Sequence, residues 1–263
     1  MPDSNVWVQY SASCDSAPVY ETEGLLLATY GYGYFQEGFN PLPQTKVLIT
    51  GNKFTIYKDQ DYRVYFQTTG LLGIYINEVL VPYDFDTDLN YQMIASINLK
   101  EYTTENNIEL FLQYEDEYTE TLTFTVKEEC FYDILNCVFI NKYGYPQSFF
   151  LTKVKKTSTD IEGQDYRGLI SEFGVYNTTA HQTVSFNING TDKVKANTDY
   201  LNEIENNIIK EMLLSESIWL IENDIINPVV LETKSFDYKQ TKVERLIQYE
   251  FGFKYAFNTI NKV

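Results

Sequence analysis

Apolar and polar positions along this chain alternate with a period near two over short runs and adopt a helical period only once. "KVLIT" and "KFTIY" flank Gly51 and Asn52, a pair suited to the positive φ of a two-residue primed turn, so a hairpin is predicted there. Further strands are predicted over residues 62–67, 72–81, 91–99, 108–114 and 121–126. Seven short strands at this spacing predict an immunoglobulin-like β-sandwich over residues 46–130.

Residues 127–136 carry a change of composition, from an acidic tip at 115–120 to an apolar stretch that opens at Phe131, and the domain boundary is placed there. The second domain, 131–263, starts with a strand, a turn and an aromatic strand between Cys137 and Leu151. A loop with Gly163 and Gly168 follows, then a strand at 169–176 and a hairpin whose Asn189-Gly190 dipeptide is the clearest turn signal in the chain. Leu201, Ile204, Ile208 and Met212 then recur at helical spacing, so an amphipathic helix is predicted over 199–214. Thr198 and Asp199 are placed to cap it, and Ser215 to Ser217 to stop it. Trp219 and Pro228-Val229-Val230-Leu231 read as extended, and residues 246–256 as the closing strand. The predicted fold class is mainly β, with tandem immunoglobulin-like β-sandwich domains, the second also α+β through its one helix.

Residues 1–45 show little periodicity and read as an irregular aromatic N-terminal arm, with Gly31, Gly33, Gly38, Pro41 and Pro43 interrupting any element. Tyr32, Tyr34, Phe35 and Phe39 are its candidate interface residues. The residues alone leave two readings open: the arm packs onto a neighbouring subunit, or it wraps its own domain.

Composition agrees with a β-rich chain, since aromatics make up 16% of the 263 residues while Met, Trp and Cys are scarce. With 37 acidic against 20 basic residues the formal charge is -17, a field that repels nucleic acid and anionic lipid. Sequence-specific nucleic-acid binding is therefore not expected, although an acidic lumen would let DNA slide without sticking. The densest basic cluster, Lys153 to Lys156, reads as an exposed strand end. No apolar run approaches the roughly eighteen residues of a membrane span, and the start lacks the pattern of a secretory leader, so synthesis in a cytoplasm is expected.

Cys14, Cys130 and Cys137 cannot make a disulfide framework. Cys130 and Cys137 either meet across a short turn when oxidised or serve as small buried apolar residues. "DFDTDLN" places Asp84, Asp86 and Asp88 at the spacing of calcium-loop ligands, but Leu89 stands where that loop needs Gly and Ala95 where it needs Glu. Its plainer reading is an acidic strand edge that resists sheet-to-sheet pairing. The acidic run at 115–120 sits on one loop tip, whereas glycosidase carboxylates converge from separate strands, so a solvated turn is expected. His181, the sole histidine, has no nucleophile signature around it and reads as a surface residue. No phosphate loop, dinucleotide fingerprint or metalloprotease helix occurs, and no enzymatic role or cofactor is expected. The sequons at Asn177 and Asn189 carry no weight without a leader.

The helix followed by "SIWLIEN", "NPVVLETKSFDYK" and "RLIQYEFGFKYA", with "CVFINKYGYPQSFFL" upstream, resembles the C-terminal part of virion proteins from tailed phages infecting Bacteroidetes, the ring and tail proteins of crAss-like phages. The resemblance covers roughly residues 130–263 and rests on the pattern of elements. It implies an architectural subunit of a tail, baseplate or head-to-tail connector such as a neck ring, copied around the phage axis. The implied partners are copies of the chain itself and other tail or neck proteins, the implied location is the virion, and no catalytic residue comes with the family. A different class of function also fits the residues. A carbohydrate-binding or adhesive β-sandwich module would use aromatic rims, with calcium at Asp84, Asp86 and Asp88.

Overall fold

The structure, a computed structural model, describes residues 6–12, 22–28, 31–37, 47–68, 70–82, 94–115, 117–128, 131–169, 171–172, 174–176, 178–235, 237–239 and 247–260. Cys14, Phe39, Asp84, Asp86, Asp88, Cys130 and Asn177 lie outside them. Among the described residues the fold is predominantly β, with one short α-helix.

Strands β1 (Val6–Ala12) and β2 (Thr22–Ala28) pair antiparallel from Val6 opposite Ala28 to Ala12 opposite Thr22. The first forty-five residues are thus not irregular throughout. Backbone pairing of "VWVQYSA" with "TEGLLLA" requires β-competent residues but no strict alternation, which is why a search for periodicity passes over it.

The next eight strands are β3 (Lys53–Tyr57), β4 (Arg63–Gln67), β5 (Leu71–Ile76), β6 (Val79–Val81), β7 (Ile94–Asn98), β8 (Asn107–Tyr114), β9 (Glu117–Tyr118) and β10 (Leu122–Lys127). They form one sheet in the order β3-β10-β8-β5-β6, with β9 on β8, and a two-stranded sheet β4-β7. Alternation dictates which face is covered: Ile108, Leu110, Leu112 and Tyr114 of β8 are buried, while Asn107 and Glu109 on either side of Ile108 are exposed. Tyr62 joins the two sheets, its ring 6.0 Å from Phe54 and 5.5 Å from Phe124.

One expected turn and one expected strand differ from the structure. Gly51 has the positive φ that its dipeptide signals, 98°, yet no hairpin forms. The Leu48 amide donates to the Tyr65 carbonyl at 2.9 Å, so the chain before Gly51 lies beside β4, whereas β3 runs parallel to β10 in the other sheet. Crossing between sheets buries Leu48, Ile49, Phe54 and Ile56 together, an advantage no local signal can reveal. The single strand expected at 72–81 divides into β5 and β6 at Asn77 and Glu78, whose φ values of 50° and 65° define a primed turn.

The second half contributes β11 (Leu135–Ile140), β12 (Pro146–Leu151), β13 (Lys155–Arg167), β14 (Ser171–Glu172), β15 (Val175–Tyr176), β16 (Thr183–Asn197), α1 (Asn206–Leu214), β17 (Ile218–Glu222), β18 (Ile225–Leu231) and β19 (Glu250–Tyr255). Seven of these make an antiparallel sheet in the order β12-β11-β17-β18-β19-β16-β13, and β14 pairs with β15. Asn189 and Gly190 are not a turn: they lie within β16, opposite Glu162 and Ile161. Strand β16 continues because the long partner β13 supplies its hydrogen bonds, and tertiary pairing overrides the dipeptide preference.

The predicted helix is also shorter than its pattern. A 3-10 turn at Glu203–Glu205 leads into α1, and Leu201 pairs with Ile247 in an isolated bridge. Ile208 and Met212 are buried as expected, with Ile209, but Ile204 is exposed. The first turn is closed by the Glu205 carboxylate, which accepts from the Asn202 amide at 2.9 Å, in place of a cap at Thr198 or Asp199.

One hydrophobic cluster runs through both halves of the chain. Across the segment 127–136 the rings of Tyr57 and Phe150 meet edge to face at 5.6 Å, and those of Tyr62 and Phe150 lie 6.1 Å apart. Polar groups close the seam: Asn141 Nδ2 donates to the Leu48 carbonyl at 2.9 Å, Gln147 Nε2 to the Thr50 carbonyl at 3.2 Å, and the Thr50 hydroxyl to Glu211 Oε2 at 2.8 Å. Asn141 and Glu211 are buried, so these bonds satisfy groups that would otherwise cost about 1–3 kcal/mol each.

Candidate interaction surfaces

Strands β13 and β16 are far longer than the sheet they belong to. The neighbour β19 pairs with β16 only over Lys193–Asn197, so β13 residues 159–167 and their partners on β16 extend as a two-stranded ribbon. At about 3.3 Å per residue these nine residues span roughly 30 Å, before the tip formed by β14 and β15. All of β13 after Lys155 is exposed.

The ribbon carries apolar groups on both faces. Tyr166 and Phe186 meet edge to face at 5.6 Å on one side. Ile161, 74% exposed, and Ile188 lie on the other, beside Gly163, where an added Cβ would stand 3.1 Å from Ile188 Cγ1. At Gly163 the register shifts between Glu162 and Gln164, and Asn187 takes φ 53°, a bulge that sharpens the twist. At the tip Leu169 and Val175 are 91% and 79% exposed. An isolated two-stranded ribbon is at best marginal in water and gains nothing from exposing such groups, so its composition points to a contact.

The base of the ribbon, in contrast, is fixed. Lys193 bridges Asp160 at 2.6 Å and Glu232 at 2.5 Å, and these hydrogen bonds raise its pKa. The Thr159 hydroxyl donates to Asp192 at 2.5 Å. The chain after β19 folds back over this base: the Thr259 amide donates to the Gly190 carbonyl at 2.8 Å. Beside it, Thr157, Thr159, Asp192, Asn227, Tyr255 and Phe257 line a solvent-open hollow.

Of the four arm residues, Tyr32 and Tyr34 are half-buried on the chain's own second half. The Tyr32 amide donates to the Lys142 carbonyl at 2.8 Å, and Lys210 Nζ of α1 stands 4.1 Å above the centre of the Tyr34 ring. Burial and the Glu211 charge push the Tyr32 hydroxyl up to about 12. Phe35 is 99% exposed. Trp219 lies in β17 opposite Val138 and Pro228, half-buried.

The remaining candidates lie apart. His181 is exposed in the loop at the ribbon tip, and Glu115, Glu117 and Glu120 are exposed around β9. Cys137 is fully buried, and desolvation raises its pKa. Among the described residues no three His, Cys, Asp or Glu side chains gather as a metal site, and no helix is long and apolar enough to cross a membrane. Two of the three lysines at 153–156 are engaged: Lys153 approaches Asp199 at 3.5 Å and Lys155 pairs with Glu222. Sequence reasoning passed over the ribbon because its strands alternate weakly and Asn189-Gly190 drew attention as a turn. The signal present was the paired lengths of polar, β-competent sequence around Gly163. Compared with protein-family models, curated proteins and solved structures, the chain matches none of them.

Proposed function

We propose that the chain is a structural subunit of a tailed-phage virion, assembling with copies of itself into a ring in the tail, baseplate or head-to-tail connector. Two observations support this reading. The C-terminal order of helix, β17–β18 hairpin and closing strand is the one that resembles virion ring and tail proteins. The ribbon of β13 and β16 exposes apolar side chains on both faces while its base is clamped, an arrangement that suits an arm reaching into a neighbour, and it is the observation that carries the proposal. The finer fold reading belongs to the same proposal: β3–β10 form an immunoglobulin-like sandwich, and β11–β19 with α1 a tail-type β domain. The test is the mass of the purified full chain by light scattering with electron microscopy of negatively stained particles. Closed rings of fixed copy number are expected, and a monomer at all concentrations and in the presence of other tail proteins would overturn the proposal.

A carbohydrate-binding or adhesive module is the second reading, and the hollow at the ribbon base favours it. The rings of Tyr255 and Phe257 lie 5.5 Å apart beside Asn227, Asp192 and two threonine hydroxyls, a combination of stacking face and polar groups that suits sugars. Binding on a glycan array that Tyr255→Ala removes would favour it over the ring.

A further inference from the structure

Resting on the ring reading, we infer that the ribbon of one copy seats on a basic, aromatic patch at the opposite corner of the next copy. The patch is built where segment 31–37, the turn between β11 and β12, and α1 meet. Lys142 Nζ lies 5.9 Å and Lys210 Nζ 4.1 Å from the centre of the Tyr34 ring, with Phe35 exposed next to it. Leu214, one helical turn beyond Lys210 on the same face, is also exposed.

Topology separates the two surfaces. The ribbon grows from β13 and β16 at one edge of the seven-stranded sheet, and Lys142 follows β11, next to the other edge. With strands about 4.8 Å apart, six spacings put the edges about 29 Å from each other. The register separates them lengthwise too. Lys193, Lys254, Val230 and the neighbouring pairs Val229–Ile218 and Ile218–Phe139 form one row across the sheet. From that line the ribbon leaves in the direction of Leu135, the start of β11, while the turn after Ile140 lies in the opposite direction. Donor and acceptor therefore occupy diagonal corners, and their union is a heterologous, head-to-tail contact of the kind that closes a ring.

Charge selects the seat. A chain of formal charge -17 repels a copy of itself over most of its surface. Glu162 is exposed on the face of the ribbon that also carries Tyr166 and Phe186. The patch offers two ammonium groups framed by aromatic and aliphatic side chains, which matches both properties.

The experiment is sedimentation velocity on the full chain and on two charge-reversed forms, Glu162→Lys with Asp165→Lys on the ribbon and Lys142→Glu with Lys210→Glu on the patch. Each double variant is expected to weaken self-association by about ten-fold or more, with an unchanged circular dichroism spectrum at the assay temperature showing that folding is intact. A 1:1 mixture of the two variants is expected to regain association, since every ribbon then finds an oppositely charged patch on the other variant. A wild-type oligomer that ignores both reversals, or a mixture that stays dissociated, overturns this inference and leaves the ring reading standing. A wild type that is monomeric throughout removes both.

Discussion

Asn189 holds the backbone of Ile260 from both sides: its Nδ2 donates to the Ile260 carbonyl at 2.9 Å and its Oδ1 accepts from the Ile260 amide at 3.0 Å. The same Oδ1 accepts from the Gly190 amide at 2.8 Å. A residue whose type suggests a turn acts here as the clasp that ties the chain after β19 to the ribbon base. Replacing Asn189 by Ala is expected to loosen that base, at about 1 kcal/mol for the exposed bonds lost. The check is amide hydrogen exchange, which should speed up over 184–192 and 256–260 while the buried strands β8 and β11 keep their protection.

Gly190 has a steric role at the same point. A Cβ there would stand 3.0 Å from Thr259 Oγ1 and 3.2 Å from Thr159 Cγ2. Gly190→Ala is expected to displace the segment 256–260 and to cost about 1–3 kcal/mol by overpacking, whereas Gly168→Ala, with open space around it, should change the melting temperature little.

Because one hydrophobic cluster spans both halves, they are expected to unfold together. Phe150 contacts Tyr57 and Tyr62 across the seam at 5.6 and 6.1 Å. Phe150→Ala should cost about 3–5 kcal/mol and shift one common denaturant transition. Two separate transitions, only one of them moved by the substitution, would show that the halves are energetically independent.

Asp199 and Glu205 predict opposite pH effects. Burial opposes the charge on Asp199, but hydrogen bonds from Lys127 and the Tyr200 backbone and the charges of Lys127 and Lys153 outweigh it and hold the pKa below the ordinary 3.8. Its contribution to stability is therefore present above that value and lost as pH falls through the folded-state pKa. Burial raises the pKa of Glu205 above the ordinary 4.5, so its contribution is full below that value and lost as pH rises through the folded-state pKa. Asp199→Asn is expected to lower the melting temperature at pH 7 with a deficit that shrinks below about pH 4. Glu205→Gln, which keeps an acceptor for the Asn202 amide, should raise it at pH 7 and lose that advantage in acid. Parallel melting curves at every pH would contradict both assignments.

Excising the outer ribbon, residues 165–185, and joining Gln164 to Phe186 through an Asn-Gly turn should leave the melting temperature within the range of surface changes, about 0.5 kcal/mol, because β13 is exposed there. Self-association should disappear. An oligomer that survives the excision would assign the contact to another surface.

The strands with clean alternation, β8 and β10, were legible because one face meets a core and the other water, a condition written into consecutive residues. The strand-turn-strand of β11 and β12 was legible through Gly144, whose φ of 84° its turn requires, and through the apolar runs around it. The patch was legible in part, since Tyr32, Tyr34 and Phe35 stood out, but the lysines that meet Tyr34 come from distant positions, Lys142 and Lys210. The ribbon was not legible, because an exposed strand needs a partner and not an apolar face.

The sequence by itself determined that this protein is built of sheets, through its short alternating runs, its aromatics and its turn residues, all properties of neighbouring residues. Only the tertiary structure decided which strands pair: that the chain around Gly51 passes from β4 to β3, that β3 lies parallel to β10, and that β16 runs straight through Asn189-Gly190. Pairing is a choice among distant partners, settled by which combination buries the most apolar surface and leaves the fewest backbone groups unsatisfied, and no local window contains that sum.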